Sequence, residues 1–147
     1  VTLIVLKGHL LAEETLDELI ELRCAEPQHI EYARISFAIK ITLARALCGD
    51  IVWKGSWPLL KKLNQLRNGL AHNLDSPKLP QLVSAFLMER RAQSPLIHDT
   101  EKDPTDPTEM IRRLRSDVSM KVSQLIAGAI MIRDLKKTDG NKTRGQS

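Results

Sequence analysis

The chain predicts an all-α fold, an antiparallel bundle of about five helices, and three observations carry that prediction. Apolar residues recur at spacings of three and four through most of the sequence; Pro, Gly and Ser stand where those stretches stop; and no alternating apolar and polar run with turn dipeptides marks a strand. The first helix, about residues 3–24, has Leu3, Leu6, Leu10, Leu11, Leu16, Leu19, Ile20 and Leu22 as its apolar stripe, with Glu13, Glu14, Asp17, Glu18 and Glu21 between them. Pro27 stops it. Ile30, Ile35, Ala38, Ile39, Thr42, Leu43, Ala46 and Leu47 restart the period, giving a second helix over about 30–48 that Gly49 ends. Ser56 followed by Pro58 reads as a helix start, and Leu59, Leu60, Leu63, Leu66 and Leu70 continue it to about residue 72. After a turn at Asp75, Ser76, Pro77 and Pro80, a short fourth helix holds Leu82, Val83, Phe86 and Leu87 and ends near Arg91.

From about 92 to 108 the prolines and acids describe a surface loop, too close to the end of the chain for a second core to follow. The last helix, about 108–136, carries Ile111, Leu114, Val118, Val122, Leu125, Ile126, Ala129, Ile132 and Leu135 on one stripe. Residues 1–137 therefore read as a single helical domain and residues 138–147 as a disordered basic tail.

Composition narrows the function classes. With 147 residues, 42% hydrophobic and 27% charged, the chain builds one core. Its net charge of +4 is unevenly spread: residues 1–50 hold 5 basic and 8 acidic side chains, residues 51–147 hold 17 and 10. A polyanion would meet the second part first. Five aromatic residues (Tyr32, Phe37, Trp53, Trp57 and Phe86) are too few for a base-stacking platform. Cys24 and Cys48 lie in apolar helical patterns and read as reduced packing residues. No apolar stretch reaches the ~20 residues of a membrane span, and no signal-peptide layout is visible, so a cytoplasmic protein with no membrane partner is expected.

The third helix ends on Leu66-Arg67-Asn68-Gly69-Leu70-Ala71-His72, where Arg67, Asn68 and His72 go beyond what amphipathicity demands. Cleavage of RNA by its own 2′-hydroxyl needs a group that exchanges protons near neutral pH, and an imidazole with an ordinary pKa of about 6.5 suits that task. It also needs fixed positive charge against the developing phosphorane, which a guanidinium supplies. Asn68 can donate to a phosphate oxygen or orient the imidazole. Asn68 and His72 share a helix face, whereas Arg67 and His72 are roughly 140° apart. Both reach one phosphate only if the helix loosens at Gly69 or if two copies meet across a two-fold axis. The same residues have an ordinary reading, since Arg and His in the last turns of a helix complement its dipole.

This segment resembles the Arg-Asn-x-x-x-His signature, more generally Arg-x(4 to 6)-His, of the HEPN superfamily of small helical proteins, and the order of helices around it agrees. The resemblance implies an HEPN-like bundle, a homodimer, and a metal-independent endoribonuclease whose catalytic residues are Arg67, Asn68 and His72, cutting RNA by 2′-hydroxyl attack in a dimeric cleft. It also implies a toxin or antiphage effector, with an antitoxin or other regulatory protein as a partner. In the HEPN toxins paired with a nucleotidyltransferase antitoxin a Tyr follows the His by two positions; here Leu74 stands there, which argues against that form of regulation. A looser similarity links the chain to helical proteins of the mannitol operon repressor type, which implies the alternative of a non-catalytic interaction or regulatory module.

Lys61, Lys62 and Lys78 flank the motif and are the candidate RNA-phosphate contacts. Glu14 is the candidate supporting carboxylate, while His9 and Glu13, four apart, read as an ordinary surface pair. No metal-ligand spacing and no glycine-rich phosphate loop occurs, so neither a metal nor another cofactor is expected.

Overall fold

In the computed structural model the described residues are 1–49, 55–72, 78–93 and 106–144, the side chains of His72 and of residues 139–144 excepted. Among them are five α-helices and no strand: α1 (Thr2–Arg23), α2 (Phe37–Cys48), α3 (Ser56–His72), α4 (Leu79–Ala92) and α5 (Pro107–Arg144). This is the all-α bundle that the sequence predicts, but not an antiparallel one throughout, since α1, α2 and α5 run in the same sense. Most of the loop expected over about 92–108, together with Trp53, Lys54 and residues 145–147, lies outside the described residues.

Helix α1 is the hub, packing on α2, α3 and α5, while α4 packs on α3 and α5. Its buried side is Val5, Gly8, His9, Ala12, Thr15, Leu16, Leu19 and Ile20. The predicted stripe is therefore right in its second half and wrong in its first, because Leu3, Leu6, Leu10 and Leu11 are exposed. Gly8 sets the approach of α5: a Cβ there would run into the Cγ1 atom of Val118. From there on α1 and α5 run in the same sense, and Arg133 pairs with Glu18 ten residues further along α1.

Helix α2 starts seven residues later than the apolar period predicts. Pro27–His29 and Tyr32–Arg34 form two 3-10 turns instead, and α2 begins after Ser36, whose hydroxyl accepts from the Ile39 N–H at 3.4 Å. Its buried residues are Phe37, Lys40, Ile41, Ala44 and Cys48, so Ala38, Ile39 and Thr42 of the predicted stripe face outward. Lys40 meets Glu13 and Asp17, and the Arg23 Nε–H donates to the Leu47 carbonyl, so α1 and α2 run in the same sense. The 13 residues between them make the return, a span of about 21 Å that they cover easily. Gly49, at φ 57°, ends α2 in the left-handed region that glycine tolerates.

Helix α3 buries Trp57, Leu59, Leu60, Leu63, Leu66 and Leu70, and α4 adds Val83, Phe86 and Leu87, all close to the sequence expectation. Helix α5 opens on an Asp106 cap, whose carboxylate accepts from the Glu109 N–H at 2.8 Å, and buries Leu114, Val118, Val122, Leu125, Ala129 and Ile132. The sequence ends this helix near residue 136, where its apolar stripe stops; the helical backbone continues to Arg144.

Candidate functional site

Arg67, Asn68 and His72 lie in the last two turns of α3, whose 17 residues form one unbroken helix. Both Arg67 and Asn68 are exposed, and the Arg67 Nη1–H donates to Asn68 Oδ1 at 3.2 Å. The His72 backbone closes the helix, and its side chain lies outside the described residues. Gly69 does not loosen α3. It serves contact with α4, since a Cβ there would stand 2.6 Å from Leu82 Cδ1. Of the two ways to bring Arg67 and His72 onto one phosphate, a break at Gly69 is therefore absent.

Lys61 is exposed on α3, Lys62 is half-buried, and Lys78 is exposed immediately before α4. Glu14 is exposed on the outer side of α1. The carboxylate that turns inward is its neighbour Glu13, whose Oε2 lies 3.8 Å from His9 Nδ1 and whose Oε1 accepts from Lys40 Nζ at 3.0 Å.

Nor is His9 a member of a surface pair. It is 8% exposed, its ring stacks on Phe37 at a centroid distance of 4.0 Å, and its Nε2 stands 3.3 Å from Asn64 Oδ1. Asn64 Oδ1 accepts, so Nε2 carries a proton. Burial holds the His9 pKa below its ordinary value; the Asn64 hydrogen bond and Glu13 act against that, and the positive charges of Arg67 and Lys40 add to the lowering. A buried polar group from α1 thus braces the flank of α3 one turn before Arg67.

Lys40 completes this internal network. It is 3% exposed, and Nζ donates to Asp17 at 2.8 Å as well as to Glu13. Burial opposes its charge, but the two carboxylates outweigh burial and hold its pKa above the ordinary lysine value. His9, Asn64 and Lys40 escape sequence reasoning because their roles depend on which helix covers which. The one local signal is Asn64, three residues before Arg67 and so on the same side of α3.

No family model matches the chain, and neither a curated protein nor a solved structure matches it significantly. Among the described residues no helix is long and apolar enough to cross a membrane, and no three or more His, Cys, Asp or Glu side chains gather as a metal site would.

Proposed function

We propose that the end of α3 is an RNA-cleaving site of the HEPN type, assembled from two copies of the chain and working without metal. The observation that carries the reading is the exposed Arg67 and Asn68 pair on an unbroken helix that ends at His72. On one straight helix Arg67 and His72 diverge by roughly 140°, so one chain gives a phosphate the guanidinium or the imidazole, and a second chain gives the other.

In the reaction the 2′-oxygen attacks the adjacent phosphorus and its proton passes to one His72 imidazole. Arg67 and Asn68 meet the charge that builds on the non-bridging oxygens. The bond to the 5′-oxygen breaks and that oxygen takes a proton from an imidazolium. The products are a 2′,3′-cyclic phosphate and a 5′-hydroxyl. Lys61, Lys62 and Lys78 hold neighbouring phosphates, which makes binding fall as salt rises. A role as a toxin or antiphage effector belongs to the same reading.

Incubation of the purified chain with mixed-sequence RNA in EDTA tests it. The expected result is cleavage with cyclic-phosphate ends, lost in the Arg67→Ala, His72→Ala double variant. Absence of cleavage, or a double variant as active as wild type, overturns it.

A second reading, a non-catalytic interaction module, is favoured by a different observation: four exposed leucines on α1, at Leu3, Leu6, Leu10 and Leu11. It takes the place of the first if no RNA is cut.

A further inference from the structure

Leu3, Leu10 and Leu11 of α1 are 64%, 56% and 47% exposed, and they share one side of the helix with Lys7 and Glu14, which are also exposed. Lys7 and Glu14 lie roughly 140–160° around α1 from His9, the residue that touches α3. Beside this stripe runs a groove of about 580 Å³ between α1 and α5, with Leu3, Ile4 and Leu11 on one wall and Val118, Val122 and Ile126 on the other. Contiguous exposed apolar surface of this kind marks a place where another molecule binds.

The charges identify the occupant. At the N-terminal end of this face Lys7 and Arg115 are basic; towards the C-terminal end of α1, Glu14 and Glu21 are acidic. A face with a basic half, an apolar centre and an acidic half is complementary to itself turned end for end. We propose that two copies of this chain meet here, α1 against α1, antiparallel about a two-fold axis between Leu10 and Leu11. In that register Lys7 lies opposite the partner's Glu14, each about 5 Å along the helix from the axis, and the contact occurs twice. A parallel pairing would set Lys7 against Lys7. The leucines of each copy enter the apolar groove of the other.

This contact is independent of the nuclease reading. Because α3 lies on the far side of α1, the α1 contact does not bring the two Arg67 side chains together; a shared RNA site uses a second face, and the two contacts together join more than two chains. Light scattering on the full chain at micromolar concentration, with circular dichroism as the control for folding, separates the cases. Lys7→Glu and Glu14→Lys are each expected to weaken the contact about tenfold or more, because each sets like charges opposite one another twice. The double reversal restores it, and Leu10→Asp abolishes it. A monomeric wild type overturns the inference, as does an assembly that none of these substitutions disturbs, or one that the double reversal fails to restore. If charge reversal converts a larger assembly to a dimer, both contacts exist. Conversion of a dimer to monomers keeps the α1 contact and removes the shared RNA site.

Discussion

His9 Nε2 stands 3.3 Å from Asn64 Oδ1, tying α1 to α3 one turn before Arg67. Burial lowers the His9 pKa below its ordinary 6.5, more than the Asn64 bond and Glu13 raise it. As pH falls below about 6.5 the unfolded chain takes up a proton at His9 that the folded chain does not, so stability is lost from there down through the folded pKa. Urea unfolding at intervals from pH 7.5 to 5 checks this. Wild type should lose more stability over that range than His9→Gln, which has no proton to gain; parallel curves would contradict it.

Lys40 bonds both Glu13 and Asp17, at 3.0 and 2.8 Å. Lys40→Met leaves two neighbouring carboxylates without it. Because those carboxylates are about a third exposed, the expected loss is about 2–4 kcal/mol rather than the upper end for a fully buried pair. Adding Glu13→Gln and Asp17→Asn should recover part of it, a coupling that denaturant titration of the three variants measures.

Gly8→Ala sets two effects against each other. Helix propensity favours Ala by up to about 1 kcal/mol. Its Cβ meets Val118, which is buried and stiff at χ1, and crowding of that kind costs about 1–3 kcal/mol. A net loss of about 1 kcal/mol is expected. In a Val118→Ala background, where the space exists, the same change should be neutral or stabilising.

What the sequence conveys about this fold follows from what periodicity can measure. In α3 the leucines at 59, 60, 63, 66 and 70 have one apolar side, so period and burial agree. In α1 the four N-terminal leucines fit the period equally well but are exposed, and the smaller Val5, Gly8 and Ala12 face inward, because α5 must come close at Gly8. In α2 the period is right for Leu43 and Leu47, which pack on the core, but misses Lys40, a charged residue buried against acids that come from α1. Ile30 and Ile35 fit a helix that the Ser36 cap starts later. Arg67, Asn68 and His72 stand out in the sequence as polar residues beyond what amphipathicity demands, whereas the His9 contact to their flank depends on Phe37 covering the ring from 28 residues away.

Lys121, 4% exposed, donates to Gln124 at 2.7 Å. Burial pushes its pKa from 10.5 down to about 8, Arg90 adding to the shift and Asp117 resisting it. At neutral pH the folded chain carries this buried charge at a cost. Between about pH 8 and the unfolded value of about 10.4 the unfolded chain binds the proton more tightly, so stability should rise with pH across that window. Lys121→Met should lack that rise, and chemical denaturation at pH 7.5, 8.5 and 9.5 compares the two. Equal slopes would rule out the low folded pKa.

The shared-site reading makes a quantitative prediction about mixtures. Arg67→Ala and His72→Ala should each reduce cleavage by roughly two to four powers of ten, the scale for losing electrostatic stabilisation or general acid-base help. Arg67 is exposed, so its truncation should leave the fold intact. If each site takes Arg67 from one chain and His72 from the other, a dimer of the two variants has one site with both residues lost and one site intact. Equal mixing with free exchange makes half the dimers mixed, so about a quarter of wild-type activity should return. If both groups came from the same chain, every site in the mixture would lack one of them and activity would stay at the level of the single variants. Measuring cleavage before and after exchange of the two purified variants therefore decides whether the diverging residues of α3 act within one chain or between two.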